Sequence, residues 1–308
     1  MNKVFIDGSS GTAGLQIYDR LKNREDISLM LLSDADRKSD SKRLEALNSC
    51  DIAILCLPDD AAKQAVGMTL SPSTRIIDCS TAHRTAPGWV YGFPELASSG
   101  ADIIRNASRV ANPGCHASGF IALVSPLTSA GIIPKDALIT CHSITGYSGG
   151  GKKMISQYET PGRDALLDAP RQYGLTQQHK HLAEMRHVCD LDSFPVFCPI
   201  VSDFYSGMCV TVPLFSGQIN GSAADIRSVY RSLYTGPVVN YIEAPGEDGF
   251  LSGAALAKTD RMELSVLGND ERILLIARFD NLGKGAAGSA VENLNIMLGA
   301  PQTKGLAI

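Results

Sequence analysis

The segment Val4-Phe5-Ile6-Asp7-Gly8-Ser9-Ser10-Gly11-Thr12-Ala13-Gly14-Leu15 decides the reading of this chain. A short apolar run ends in three glycines at G-x-x-G-x-x-G spacing, and a helical pattern follows with apolar residues at Leu15, Ile17 and Leu21. Glycines between a strand and a helix let the backbone approach a pyrophosphate, while first-turn N–H groups and the helix dipole hold its charge. The spacing departs from the usual dinucleotide fingerprint G-x-G-x-x-G, so taken alone it also suits a tight turn without ligand. Its surroundings favour the binding reading. Buried strands are predicted at 27–32, at 52–57, where Pro58 stops the run, and at 75–78, with a short helix around 44–47. Short apolar strands alternating with helices argue for right-handed βαβ units and a parallel, doubly wound sheet.

After Pro113-Gly114 the character changes. A helix is predicted from Cys115 or His116 to about Ala130, with Phe120, Ile121, Leu123, Val124 and Leu127 on its apolar face. β-rich runs at 137–144, 196–201, 208–215 and 272–279 suit a mixed or antiparallel sheet in a second, α+β domain. Gly283-Lys284-Gly285-Ala286-Ala287-Gly288 then leads into a helix at 291–298 that returns to the first domain. The division is therefore 1–114, completed by 285–308, and 115–284.

The 308 residues carry 28 Lys+Arg against 32 Asp+Glu, a net charge of −4. No global positive field gathers nucleic acid or anionic lipid, so an anionic ligand must be held by local groups. The apolar runs fall far short of the roughly 18–20 residues a bilayer span needs. No signal peptide is seen at the start. The eight cysteines form no C-x-x-C pair and mostly sit in apolar runs, which points to a reducing cytoplasm.

Cys115 is set apart from the other thiols. It follows Pro113-Gly114 at the start of an apolar helix, where the dipole favours thiolate, the nucleophilic form. His179-Lys180-His181-Leu182-Ala183-Glu184 offers two imidazoles as proton partners. If a helix begins there, His181 and Glu184 share a face and His179 points elsewhere. No further ligand cluster accompanies this H-x-H, so a metal site is not expected. His83, His142 and His187 read as ordinary surface or core residues.

Asp78-Cys79-Ser80-Thr81-Ala82-His83-Arg84 lies at the C-terminal end of the predicted fourth strand, the edge where open α/β sheets bind ligands. Arg84 suits a phosphate or carboxylate there, or a surface ion pair. The stretch from Thr145 to Lys153 reads as too glycine-rich for regular structure, either a flexible loop or a backbone passing close to a cofactor. At the end of the second strand Ser33, Arg37 and Lys38, with Arg43 beyond, favour the 2′-phosphate of NADP, although Asp34 and Asp36 are also present and a solvated loop has the same composition.

Together these motifs resemble the N-acetyl-gamma-glutamyl-phosphate reductases in their shorter bacterial form, relatives of aspartate-semialdehyde dehydrogenase. The resemblance spans Gly8 to Gly14, Cys56-Leu57-Pro58-Asp59-Asp60, Asp78 to Arg84, Trp89 to Leu96, Asn112-Pro113-Gly114-Cys115, Gly146 to Gly151, His179-Lys180-His181 with Glu184, and Asp280 to Gly285. Longer members have an aromatic residue after the nucleophile, where this chain has His116.

The resemblance implies an NAD(P)-binding Rossmann domain plus a catalytic domain of the glyceraldehyde-phosphate-dehydrogenase type. The implied reaction is NADPH-dependent reduction of N-acetyl-L-glutamyl 5-phosphate to the 5-semialdehyde, in arginine biosynthesis, through a thioester on Cys115. His181 is the implied acid/base and His179 its reserve. Arg84, Ser80 and Asn112 are implied on the substrate. Gly8, Ser10, Gly11, Thr12, Ala13, Gly14, Ser33, Arg37, Lys38, Leu57, Pro58, Ser148, Gly149 and Asn281 are implied on NADPH/NADP+. A homo-oligomer, dimer or tetramer, is implied as well. An aspartate-semialdehyde dehydrogenase shares this chemistry, and a thiol acyltransferase using Cys115 and His181 stands as an alternative from a different class, although it leaves the glycine turn without a task.

Overall fold

Strand β1 (Asn2–Asp7) pairs with its neighbour from Asn2 onward and is buried from Val4 to its end. The computed structural model describes all 308 residues. They divide into two units: Met1–Pro94 with Ser99–Pro113 and Ala286–Leu306, and Glu95–Ser98 with Gly114–Gly285 and Ala307–Ile308.

In the first unit α1 (Thr12–Leu21), β2 (Ile27–Met30), α2 (Asp40–Ser49), β3 (Ile52–Leu55), α3 (Asp59–Met68), β4 (Arg75–Asp78), β5 (Val90–Tyr91), α4 (Gly100–Asn106) and β6 (Arg109–Ala111) follow β1. All six strands are parallel, in the order β2-β1-β3-β4-β6-β5. Val4 pairs with Leu29 on one side and Ile52 on the other. The chain order reverses between β1 and β3, and ligands of such sheets bind beyond the strand ends at that point.

Side chains alternate across the sheet. Ile6, Ile54 and Ile77 pack on one face with Ile17 and Leu21 of α1 and with Val291, Leu294 and Met297 of the C-terminal helix (Gly288–Leu298). Phe5, Ala53, Leu55 and Ile76 pack on the other with Leu47 and Ala65. Each such aliphatic side chain contributes roughly 1.5–3 kcal/mol when fully buried. Two expectations need correction here. β2 ends at Met30 and buries only Ile27 fully, because it is the sheet edge. On α1 the buried face is Gly14, Ile17 and Leu21, while Leu15 is exposed.

The second unit runs α5 (Cys115–Ser129), β7 (Thr140–Gly146), α6 (Gly151–Glu159), β8 (Arg171–Gln172), α7 (His181–Val188), β9 (Val196–Ser202), β10 (Met208–Phe215), α8 (Ala223–Leu233), β11 (Val239–Tyr241), β12 (Met262–Gly268) and β13 (Arg272–Phe279). Its mixed sheet has the order β11-β12-β13-β10-β7-β9-β8. Helix α5 lies close on this sheet because residue 119 is glycine: a Cβ there would meet Val210 Cγ2 at 2.6 Å and the Phe279 ring at 2.8 Å. Pro126 in its last turns has no N–H for the carbonyl of Ala122. The Tyr234 hydroxyl donates to that carbonyl at 2.7 Å, so the proline leaves no buried acceptor unpaired.

Strands β11 and β12 are absent from the sequence reading. The glycine stretch after β7 is regular after all: Tyr147–Gly150 is a 3₁₀ turn and Gly151 opens α6. No helix is long and apolar enough to cross a membrane.

Candidate active site

Cys115 is the first residue of α5, and Gly114 before it is the N-cap with extended backbone. The N-cap glycine has no side chain of its own, and the first turn and dipole of the helix act on the position of Cys115. Glu184 Oε1 accepts the Gly114 N–H at 2.8 Å, which fixes the turn into Cys115. Behind it Gly285 is packed close: a Cβ there would stand 3.0 Å from Cys115 Cβ and 3.0 Å from the Asp280 carbonyl oxygen.

Four rings gather at the start of α5. His116 lies 5.7 Å from His181, 5.8 Å from His179 and 5.3 Å from Phe197, between ring centroids. His179 and His181 are 4.8 Å apart. His179 therefore does not point elsewhere, as helical spacing suggests. It precedes α7, and its Nδ1 accepts the His181 N–H at 3.3 Å. His181 and Glu184 do share the buried face of α7.

His116 bonds Ser143 Oγ through Nδ1 and the Tyr173 hydroxyl through Nε2, each at 2.6 Å. Burial, reinforced by the neighbouring His179, pushes its pKa down to about 3, so the ring is neutral. A neutral imidazole has one N–H, hence one of its two hydroxyl partners donates to it. The Tyr173 hydroxyl is pushed up by burial and by the neighbouring Cys115 sulfur, and stays protonated. Burial, with Lys180 next to it, also lowers His179. Tyr173 and Ser143 are absent from the sequence reading, since nothing local marks them and only folding brings them to His116.

Near these elements Asn281 Nδ2 donates to Ser148 Oγ at 2.9 Å, and Asn281 Oδ1 accepts the Gly207 N–H at 2.9 Å. Gly149 adjoins the same amide, with Asn281 Nδ2 3.4 Å from where its Cβ would be. Ser148, Gly149 and Asn281 are thus brought together. Buried Lys284 pairs with Glu95 at 2.8 Å, another contact the sequence does not reveal.

In the first unit the glycine turn separates into two kinds of glycine. Gly8 has φ +88, and its Cβ would lie 2.3 Å from the Cys56 carbonyl oxygen; the Cβ of Gly14 would lie 2.3 Å from the carbonyl oxygen of Gly8. The fold itself demands both. Gly11 has an ordinary φ of −73 and meets nothing closer than 3.5 Å. It caps α1, whose N-terminus at Thr12, Ala13 and Gly14 has no side-chain cap. Bare first-turn N–H groups beside a side-chain-free position fit a dinucleotide pyrophosphate. Leu57 flanks the turn, 3.2 Å from the Gly8 Cβ position, and Pro58 caps α3.

Arg37 reaches from the loop after β2 to Ser10 Oγ at 2.5 Å and pairs with Asp34 at 3.3 Å. Ser33 Oγ donates to Asp36 at 2.7 Å, and Lys38 is exposed. Arg43 does not join them. It is buried in a 3.0 Å ion pair with Asp7 at the end of β1.

Asp78, fully buried, accepts Ser80 N–H at 2.9 Å and Ser80 O–H at 2.8 Å, and it pairs with His83 Nδ1 at 2.6 Å. The His83 ring stacks on Trp89 at 4.2 Å, so it is tied into this edge and is not an ordinary surface residue. Arg84 Nε donates to the Asn112 carbonyl at 2.9 Å and its NH2 to the Cys79 carbonyl at 3.2 Å. Main-chain carbonyls thus hold the guanidinium plane. The Asn112 amide is occupied at both ends, donating to the Ala286 carbonyl at 2.9 Å and accepting from Asn293 at 3.1 Å. It supports the turn rather than facing a ligand.

Residues 3–103 match the model of the semialdehyde dehydrogenase NAD binding domain, and residues 115–281 match that of the semialdehyde dehydrogenase dimerisation domain. An N-acetyl-gamma-glutamyl-phosphate reductase from Nostoc sp. is 46% identical, covering 99% of both chains. One from Pseudomonas putida is 44% identical, covering 98% of both. The chain belongs to the N-acetyl-gamma-glutamyl-phosphate reductase family. That family lies within the semialdehyde dehydrogenases, and its members reduce an acyl phosphate. Among solved structures, aspartate semialdehyde dehydrogenase II from Vibrio cholerae superposes with a TM-score of 0.72 at 16% identity, covering 97% of this chain and 98% of that one. The enzyme from Francisella tularensis gives 0.71 at 14%, covering 97% and 100%. At that identity they share the fold.

Proposed function

We propose that this chain catalyses the NADPH-dependent reduction of N-acetyl-L-glutamyl 5-phosphate to N-acetyl-L-glutamate 5-semialdehyde and phosphate. The observation that carries the reading is Cys115 at a helix N-terminus beside a histidine cluster, in a chain 46% identical over its full length to such a reductase. The first 114 residues with the C-terminal helix serve the dinucleotide, and residues 115–284 serve the chemistry.

Cys115 attacks the acyl carbon, the carbon–sulfur bond forms, and phosphate leaves with the electrons of the carbon–oxygen bond. A thioester remains, which splits one difficult step into two easier ones. NADPH, when bound, supplies the hydride that takes the acyl group to the aldehyde level. His181 protonates the developing oxyanion and takes the proton back as the carbon–sulfur bond breaks, with His179 beside it. Glu184 holds the Gly114 turn, so the sulfur meets the substrate in one orientation. Arg84 and Ser80 receive phosphate oxygens, and Asn112 positions Arg84 through its carbonyl. The dinucleotide rests on Gly8 to Gly14, Leu57 and Pro58. Ser33, Arg37 and Lys38 take the 2′-phosphate, and Ser148, Gly149 and Asn281 take the nicotinamide end.

The enzyme is a homo-oligomer, dimer or tetramer, built through the second unit's sheet. Apolar Ile144, Val196, Phe215 and Leu274 are exposed on its strands, a surface that association would cover. It works in the cytoplasm on a small molecule, without nucleic acid or membrane. The test is phosphate-dependent NADP+ reduction with N-acetylglutamate semialdehyde and, separately, aspartate semialdehyde. Turnover with the acetylated substrate alone supports the reading. Turnover only with aspartate semialdehyde overturns the substrate, and turnover with neither overturns the activity.

A further inference from the structure

Beside the glycine turn two thiols meet that the chemistry above does not use. Leu55 and Asp78 are register partners on β3 and β4, and the Cys79 N–H donates to the Leu55 carbonyl at 2.9 Å. The next residues, Cys56 and Cys79, therefore stand abreast at the ends of neighbouring parallel strands. Both side chains pack on the same face, against the cluster that holds Ile54 and Ile77, and both are half-buried. The Cys56 thiol lies close enough to raise the Cys79 thiol. Neighbouring strands run roughly 4.8 Å apart, inside the Cα separation a disulfide spans.

We propose that Cys56 and Cys79 form an oxidisable dithiol, and that its disulfide weakens dinucleotide binding at the glycine turn. The inference rests on the dinucleotide reading of that turn. The oxidant is a low-molecular-weight disulfide of the glutathione class. The Cys56 thiolate attacks one glutathione sulfur and releases one glutathione thiol. Cys79 then loses its proton and attacks the Cys56 sulfur, releasing the second. Two protein thiols are oxidised to one disulfide, and one glutathione disulfide is reduced to two thiols. The neighbouring Cys56 thiol and burial both raise the Cys79 thiol, which keeps its proton until the mixed disulfide stands beside it.

Coupling follows from what the two residues carry on their backbones. The Cys56 carbonyl is the floor of Gly8, with no room even for a Cβ at 2.3 Å. The Cys79 carbonyl holds Arg84. A disulfide draws its Cβ atoms to roughly 3.8 Å, closer than same-face neighbours on adjacent strands stand. Closing it moves the floor of the turn. By linkage, a dinucleotide that prefers the dithiol form also makes the disulfide easier to reduce.

The test equilibrates the full-length protein in glutathione redox buffers with and without NADPH, followed by alkylation and tryptic digestion. The expected product is a disulfide between peptide 44–63 and peptide 76–84. Fragmentation at Asp51 to Leu55 then assigns the first sulfur to Cys56 rather than Cys50. NADPH affinity, read by fluorescence in the Cys115→Ala protein to keep that thiol out, falls at least tenfold on oxidation and returns with dithiothreitol. Saturating NADPH raises the midpoint potential correspondingly, by about 30 mV for a tenfold effect. In Cys79→Ala, affinity is indifferent to the buffer. Absence of the linked peptide in protein of normal NADPH affinity overturns the bridge. A linked peptide with unchanged affinity overturns the coupling. Reduced protein that binds no NADPH overturns the coupling and the dinucleotide reading together, while the peptide still decides the bridge.

Discussion

The Glu184 carboxylate accepts the N–H of Gly114 at 2.8 Å, one residue ahead of Cys115. Both partners are buried. The bond spans 70 residues of sequence and joins the start of α7 to the start of α5, so the histidine-bearing helix also sets the turn into Cys115. Removing the acceptor leaves a buried N–H unsatisfied, which costs about 1–3 kcal/mol. Glu184→Ala is expected to lose that much stability in urea unfolding and at least tenfold in kcat. Glu184→Gln keeps an acceptor oxygen and recovers most of the stability. Equal stability loss in both variants contradicts the hydrogen-bond role.

The glycine turn yields a sharper contrast. Gly8→Ala and Gly14→Ala drive a Cβ into main-chain oxygens at 2.3 Å and are expected to unfold or strongly destabilise the first unit. Gly11→Ala makes only ordinary contacts, none closer than 3.5 Å, and costs about 1 kcal/mol or less as a change of N-cap. It should nevertheless weaken NADPH binding at least tenfold, because the added methyl occupies the approach of the pyrophosphate. Thermal melts alongside NADPH titration separate the two classes.

Cofactor preference is expected to sit at Arg37, which is exposed and tethered to Ser10. Arg37→Ala should lower affinity for NADPH about tenfold and leave NADH affinity nearly unchanged. Arg43→Ala, in contrast, breaks the buried pair with Asp7 and should act on stability first. Titration of each variant with both cofactors checks this.

His116 makes stability pH-dependent. Its folded pKa of about 3 lies below the unfolded value of 6.5, so its contribution is present above pH 6.5. As pH falls below that value the unfolded chain binds the extra proton and stability drops, by about 1.4 kcal/mol per pH unit until pH 3. From pH 7 to pH 5 the loss from this one group is about 2 kcal/mol. His116→Gln removes the titration, so urea unfolding at the two pH values should show a smaller drop by that amount. An identical drop in the variant contradicts a neutral buried ring.

Much of the first unit was legible because parallel strands covered on both faces read as unbroken apolar runs, as 52–55 and 75–78 do. Edge strand β2 has only Ile27 fully buried, and the apolar run outlasts the strand by two residues. Strand β12, Met-Glu-Leu-Ser-Val-Leu-Gly, mixes polar and apolar residues and escaped notice; its partner β13 did not. In the candidate site, Cys115 stood out because a helix start is a local signal. The links that hold it are tertiary: Glu184 to Gly114, His116 to Ser143 and Tyr173, and Gly285 against Cys115. No spacing in the chain encodes them. The commitment of Arg43 to Asp7 is of the same kind, since sequence proximity to Arg37 suggests a shared task that folding denies.

The most direct test of the account is a single-turnover reaction run backward without phosphate, with N-acetylglutamate semialdehyde and NADP+. The account predicts a burst of about one NADPH per subunit, a stable acyl adduct mapped to Cys115 by mass spectrometry, and neither in Cys115→Ala. An adduct on another residue, or a full burst in Cys115→Ala, would contradict it.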